Sequence, residues 1–336
     1  MTTNNGDIHS THDPVDAVLE RAQARAAPPA DHAQDVRQAV HAEWRAVVAQ
    51  RQGRRRRWQL AAAASVIAAL ALLLTLQPRN PVPVAVVADI DRTHGSIYLA
   101  AERSELIALP AVSSVYAGQI VQTGSDGLLG LKWAGGGSLR LDSDTRIEFV
   151  DAATALVHRG NVYVDLDPQA GPSNLVLETP MGSVRHVGTQ YLASVARDEL
   201  VVSVREGQVQ IAGRHHDGNV TAGRRVTLRG SAPPVVTTVA RFGALWEWSE
   251  ALSPGIDLDN HSAFDFLAWV GRETGYSIVF EAPEVEQRAT ETLLVGTVAA
   301  DPRTELRLRM LTTDLAYSLD STAGQIRVSL AGDGGR

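Results

Sequence analysis

Arg54-Arg55-Arg56-Arg57-Trp58 is followed, after Gln59, by seventeen residues without a charge, Leu60 to Leu76. The run holds six Leu, Val66, Ile67 and seven Ala, broken only by Ser65 and Thr75. Its eight large aliphatics contribute roughly −0.3 to −0.6 kcal/mol each on an insertion scale, about −4 kcal/mol together, which favours a bilayer. As a helix the run is about 25 Å long, at the short end for a span. Trp58 at the interface and snorkelling arginines cover the shortfall. Four arginines precede the run and one charge, Arg79, follows closely, so the positive-inside rule puts residues 1–57 in the cytoplasm and 78–336 outside it. The expectation is a single-pass protein of the inner (cytoplasmic) membrane, with its N-terminus cytoplasmic, a transmembrane helix at 60–76 and its C-terminal domains periplasmic.

Rival readings of the run fit less well. A cleaved signal peptide has its apolar core near the N-terminus and a small-x-small cleavage site, whereas this core starts at residue 60 and Gln77-Pro78-Arg79-Asn80 is a poor site. A core helix would be amphipathic, and this run is apolar on all faces. The arginine block reads as a topology determinant in preference to a nucleic-acid patch.

Charge divides unevenly about the run. Residues 1–57 hold nine Arg and seven Asp plus Glu, a net of +2, so the remainder carries −9 of the total −7. An acidic outer part argues against direct nucleic-acid binding. The chain has no Cys, which excludes disulfides, thiol catalysis and thiolate metal sites.

In the tail, residues 1–13 read as disordered. Asp13-Pro14 opens a short helix that Pro28-Pro29 ends. Asp31 with Gln34 starts a second, in which Val36, Val40, Trp44, Val47 and Val48 recur at helical spacing. Fifty-seven residues with about ten large apolar groups cannot build a core, so this stripe must bury against something. It is either a partner-binding helix docked in a groove or a helix resting on the lipid interface.

Beyond Pro78, Pro81 and Pro83 the period changes to two. Val84–Val87, Gly95–Leu99, Ser138–Asp142, Val162–Leu166, Val202–Val204 and Val209–Ile211 read as strands. Turn residues separate them at Asp126-Gly127, Gly135–Gly137, Arg159-Gly160-Asn161, Glu206-Gly207 and Asp217-Gly218-Asn219. Residues 81–232 are therefore expected to form an all-β sandwich or roll. Six blocks in order resemble the FecR domain: Gly118–Gly124, Gly137–Leu141, Arg159–Val164, Thr179–Val184, Gly188–Tyr191 and Val204–Val209. The resemblance implies an anti-sigma type regulator. Its tail would hold an extracytoplasmic-function sigma factor, and its β-rich periplasmic domain would sense a TonB-dependent receptor or other envelope protein. The glycines in these blocks read as turn positions of a β scaffold, with Gly182 and Gly188 bracketing a short strand as bulges.

Residues 255–331 read as a small α+β domain of order βαββαββ. Its strands are Ile256–Leu258, Tyr276–Phe280, Thr290–Val295, Ala316–Leu319 and Gln325–Val328. One helix is capped by Ser262 with Asp265, and one is opened by Asp301-Pro302. Phe264–Leu267, Glu273–Ile278, Leu306–Leu311 and Leu315–Tyr317 resemble the STN domain, which implies protein docking. Between the domains, in a connector at 240–254, Trp246 and Trp248 are either an interdomain wedge or a partner anchor.

No nucleophile elbow, HExxH, P-loop or Rossmann fingerprint occurs. His215-His216-Asp217 falls in a Gly/Asn-rich turn and reads as an exposed loop. Neither catalysis, nor a cofactor, nor a metal is expected. The reading is a transmembrane anti-sigma regulator; the alternative is an anchored periplasmic binding or scaffolding protein with an inert tail.

Overall fold

Among the described residues fifteen strands follow one another from residue 86 to 238, and three of them are long enough to belong to two sheets at once. The computed structural model describes residues 85–101, 105–109, 114–166, 175–213, 216–298 and 301–332, with positions 38, 40, 43 and 44 of the tail. The strands are β1 Val86–His94, β2 Ile97–Ala101, β3 Ile107–Ala108, β4 Ser114–Tyr116, β5 Gln119–Thr123, β6 Leu128–Trp133, β7 Ser138–Leu141 and β8 Arg146–Phe149. They continue with β9 Thr154–Asp165, β10 Val176–Thr179, β11 Gly182–Ala196, β12 Glu199–Gly213, β13 His216–Thr221, β14 Arg224–Arg229 and β15 Val235–Thr238.

Pairing resolves these strands into two leaves. One runs β4-β1-β6-β7, then through the second half of β9, the second half of β11 and the first half of β12, to β14 and β15. The other runs β3-β2-β5-β8, then through the first half of β9, β10, the first half of β11 and the second half of β12, to β13. The shared strands bend where one leaf gives way to the other. Gly160 (φ +99°) marks the bend in β9, Gly188 (φ +64°) that in β11 and Gly207 (φ +71°) that in β12. A Cβ on Gly207 would lie 2.2 Å from the Gly188 carbonyl oxygen, so the two bends nest at a distance that only glycine permits. One apolar core fills the space between the leaves, with Leu129, Leu131 and Leu141 from one and Ile147, Phe149, Val209 and Ile211 from the other.

Several expectations are corrected here. Arg159-Gly160-Asn161 and Glu206-Gly207 are corners inside strands and not turns between them, and Asp217-Gly218-Asn219 lies within β13. Gly182 and Gly188 do not bracket a separate short strand but belong to one fifteen-residue strand, while the bulge expected at Gly188 is present as a register slip between Val187 and Gln190.

Among the described residues after β15, four helices follow or interleave with the remaining strands: α1 Ala244–Glu250, α2 Ala263–Thr274, α3 Pro283–Glu291 and α4 Pro302–Met310. Strand β16 Ser277–Phe280 runs parallel to β18 Gln325–Leu330, and β17 Leu315–Asp320 pairs antiparallel with β18. The order is thus ααβααββ from α1, and the βαββαββ expectation fails at two strands. Asp257 makes only an isolated bridge to Thr297, and Leu293 one to Ser262. Thr290 lies in α3, which starts with Pro283 at its first turn. That Pro, pre-set for a helix start, outweighs the β-branched residues further on. Ser262 and Asp265 form a reciprocal capping box on α2, and Gly275 (φ +76°) closes the helix in the left-handed conformation.

The fold class is mostly β with short helices, and the expected membrane span is also corrected. Among the described residues no helix is long and apolar enough to cross a membrane. Helix α2, at twelve residues, reaches about 18 Å where a span needs about 30 Å. The run at 60–76, with Arg54, Arg55, Arg56, Arg57 and Trp58 before it, lies outside the described residues. So do Val36 and Val47. The chain divides into two units, 1–80 and 81–336. In the first, positions 38, 40, 43 and 44 are helical, with Val40 61% and Trp44 66% exposed.

Candidate functional site

Alternation fails on the outer face of one leaf. All four residues of β7 are buried, as are the last four of β9. Inward residues Leu139, Leu141, Val162 and Val164 belong to the core. Their outward neighbours Arg140, Tyr163 and Asp165 are buried as well, because α1 and the end of α2 cover them. Strands β11 and β12 add Gln190, Leu192 and Arg205 to the same face, with Tyr163 opposite Leu192 and Asp165 opposite Gln190.

The covered face is a seam of charge. Arg140 Nη2 donates to Glu273 Oε2 at 2.6 Å, while Nη1 donates to the Ser249 carbonyl at 2.9 Å and Ser253 Oγ at 3.2 Å. Arg140 also lies 3.7 Å from Asp165 Oδ2, which accepts from Gln190 Nε2 at 3.1 Å. The other Asp165 oxygen pairs with Arg272. Arg205 Nη1 and Nη2 donate to the carbonyls of Glu273 and Thr274, at 2.9 and 3.2 Å. These are orphan carbonyls at the negative end of α2, so the guanidinium caps the helix and answers its dipole. Arg205 Nε and Arg241 Nε each donate to the other residue's carbonyl, at 2.8 and 2.7 Å.

Aromatic rings separate the two arginines. The Arg140 guanidinium lies 4.9 Å from the Tyr163 ring centroid, and that of Arg205 lies 4.7 Å from Trp246. Tyr163 and Trp246 meet edge to face at 6.1 Å. Burial pushes the Tyr163 pKa up to about 12 against the pull of Arg205, so its hydroxyl is neutral and accepts from Arg205 Nη1 at 3.2 Å. Burial raises the Asp165 pKa, aided by the Glu273 charge and opposed by Arg140 and Arg272. Burial alone would lower the Arg140 pKa, but Glu273, Tyr163 and Asp165 outweigh it and leave it raised. Further along, Arg303 pairs with the buried carboxylate of Glu250 at 2.7 Å.

Beside the seam opens a cleft of about 480 Å³ between the sheet and the C-terminal module. Trp133 and Trp269 line it with Ser138, Asp165, Arg272 and Glu273. A second cavity, of about 340 Å³, lies by Arg197, Asp198 and His216. Among the described residues no three His, Asp or Glu side chains are placed to hold a metal ion.

The two tryptophans of the connector part company. Both lie on α1, but Trp246 is fully buried in the seam, donating its indole N–H to the Ala240 carbonyl at 2.9 Å, while Trp248 is half-buried. Arg140, Asp165, Arg205 and Glu273 escape sequence reasoning, since a polar residue alternating with apolar ones reads as solvent-facing. A faint signal exists in that Arg140, Asp165 and Arg205 fall on outward positions of strands in the same leaf.

Residues 119–210, from β5 into β12, match the FecR protein family. The chain therefore carries a FecR domain, and the seam's Arg140, Tyr163, Asp165 and Arg205 lie within the matched stretch. The C-terminal module lies outside it, so its likeness to an STN domain is not shown. No protein of curated function matches the chain. Two crystal structures of a candidate anti-sigma factor from Parabacteroides distasonis ATCC 8503 superpose on 63% of this chain and 98% of their own. Identities are 14% and 13%, with TM-scores of 0.32 and 0.33. A superposition that loose fixes neither topology nor function.

Proposed function

With a FecR domain at 119–210 as premise, we propose that this protein is a non-catalytic, FecR-type anti-sigma regulator. The tail helix around Trp44 holds an extracytoplasmic-function sigma factor. The folded unit receives a signal by docking with an envelope protein, a TonB-dependent receptor in the family's usual arrangement. The FecR match carries this reading. Two features are consistent with it. Val40 and Trp44 are exposed large apolar residues on a helix, the kind of anchor that docks in a groove. The seam ties the FecR sheet to the C-terminal module through buried, geometrically demanding ion pairs, so an event on one module is felt by the other.

The test is co-purification of the full chain with each extracytoplasmic-function sigma factor of its host, repeated with Trp44→Ala. Retention of one sigma factor by the wild type and its loss with the variant is expected. Failure to retain any of them would favour a binding or scaffolding protein with an inert tail.

A further inference from the structure

The three-stranded sheet of the C-terminal module ends on β16, which pairs with β18 on one side and with no strand of the described residues on the other. Ser277 and Glu281 donate their backbone N–H groups to the Gly324 and Val328 carbonyls, at 2.9 and 3.0 Å. Strand alternation then turns the N–H and C=O of Ile278 and Phe280 away from β18, and among the described residues these four groups meet no hydrogen-bond partner. Free donors and acceptors in a row are a template for one more strand. A cavity of about 410 Å³ lies against the same two residues, lined by Phe264 and Ala268 of α2, Ile278 and Phe280 of β16 and Glu286 of α3. The Phe264 and Phe280 rings stack with their centroids 5.8 Å apart, and Phe264 is 37% exposed.

Charge selects the kind of strand. Residues 281–291 hold Glu281, Glu284, Glu286 and Glu291 against Arg288, which pairs with Asp314. Glu281, Glu284 and Glu286 are exposed and have no ion-pair partner among the described residues. The imbalance extends to the whole module, where residues 255–332 hold twelve Asp plus Glu against six Arg, a net of −6. Arg327 of β18 does not offset the acidic groups at the cavity. It is in register with Val279, which alternation places on the opposite face of the sheet from Ile278 and Phe280. The edge is therefore open, apolar on its helix side and bordered by negative charge, and a positive partner is the one that electrostatic complementarity favours.

We propose that β16 accepts, as a fourth strand, an extended basic segment of another protein. Such a segment sets an apolar side chain over Phe264 and Phe280 and a Lys or Arg against Glu286. The inference rests on the proposed docking of the folded unit with an envelope protein, and it gives that docking a surface and a chemistry. A four-residue edge offers few hydrogen bonds, each of modest net worth in water, so the groove and the charge must supply the selectivity.

The probe is a fluorescein-labelled octapeptide, Thr-Phe-Thr-Lys-Thr-Phe-Thr-Lys, titrated into the full-length protein and followed by anisotropy. As a strand it presents Phe and Lys on one face and Thr on the other. Saturable binding is expected, about tenfold or more tighter than for the counterpart with Glu in place of Lys, and weakening as salt is added. Two further versions carry N-methyl groups on alternate amides, one in each phase, and at least one of them should lose binding because its N–H groups toward β16 are gone. Bound peptide should slow hydrogen exchange at the Ile278 and Phe280 amides. Glu286→Lys changes an exposed side chain and should weaken the peptide about tenfold with an unchanged thermal midpoint. Strand β17 is the sheet's other edge, and its outward residues are Tyr317 and Leu319, since Ala331 donates to the Asp314 carbonyl at 2.7 Å. No binding of the basic peptide, equal binding of the acidic one, full binding of both methylated versions, protection at Tyr317 and Leu319 in place of Ile278 and Phe280, or wild-type affinity in the folded Glu286→Lys protein would each overturn the proposal. A protein that retains its sigma factor but takes no peptide on β16 would refute this surface alone and leave the regulator reading standing.

Discussion

Arg140 and Glu273 meet across 2.6 Å with both side chains buried, one from the middle of a β-strand and the other from the last turn of a helix 133 residues later. Desolvating two ions costs several kcal/mol, so the pair is a weak source of net stability but a severe test of fit. Removing one partner leaves the other charged, buried and unpaired. Arg140→Ala is therefore expected to destabilise the folded unit by about 3–5 kcal/mol. Arg140→Met combined with Glu273→Met should lose less than the sum of the two single changes, a coupling of about 1–3 kcal/mol for residues in contact. Urea unfolding of the four proteins measures this, and additive losses would show that the pair does not act as a unit.

Asp165 gives the seam a pH dependence of unusual sign. Burial first, and then the Glu273 charge, raise its pKa above the ordinary value of 3.8. The folded protein thus holds this proton to higher pH than the unfolded chain does. Its contribution to stability is largest below the unfolded pKa and declines as pH rises through the folded pKa. Asp165→Asn removes the titration while keeping the side-chain shape. The stability of the wild type relative to this variant should fall as pH is raised from about 4 to about 7. A relative stability that rises over that interval would mean that Arg140 and Arg272 dominate over burial.

Much of this architecture is written in the sequence and the seam is not. Period-two alternation locates β7, the end of β9 and the core of β12 because inward residues such as Leu139, Val164 and Val204 are apolar whatever covers the outer face. The capping box at Ser262 and Asp265 is legible because it is local. Arg140 and Arg205 are not, because their burial depends on α1 and α2, which pack over them from a hundred residues or dozens of residues away. The corners at Gly160 and Gly207 mislead for a related reason. A glycine with positive φ is needed both in a hairpin and where a long strand leaves one leaf for another, and only the partner strands distinguish the two.

That distinction predicts different penalties at glycines with the same backbone sign. At Gly118 (φ +82°) a Cβ would meet nothing within 4 Å. Gly118→Ala should cost about 1 kcal/mol, the left-handed penalty alone. At Gly207 the Cβ would collide with the Gly188 carbonyl at 2.2 Å, and moving that carbonyl disturbs the neighbouring bend. Gly207→Ala should cost more than about 2 kcal/mol, since strain and clash add. Thermal unfolding of both variants orders them, and equal midpoints would show that the β11–β12 corner relaxes freely.

Trp44 and Trp246 separate binding from folding. Trp246 is fully buried, with Arg205 over its ring at 4.7 Å and Tyr163 at its edge. Its truncation empties the centre of the seam, and Trp246→Ala should cost about 3–5 kcal/mol. Trp44 is 66% exposed on its helix, so Trp44→Ala should leave stability within about 0.5 kcal/mol of the wild type. If the tail holds a sigma factor, that same change removes an aromatic anchor and should weaken the complex by about 2 kcal/mol or more, some thirtyfold in Kd. Denaturation and sigma-factor binding measured on both variants form a two-by-two comparison. Trp44→Ala should lose binding at constant stability, while Trp246→Ala should lose stability first. A Trp44→Ala protein that unfolds early would place Trp44 in a folded core, and the tail would then need another anchor for its partner.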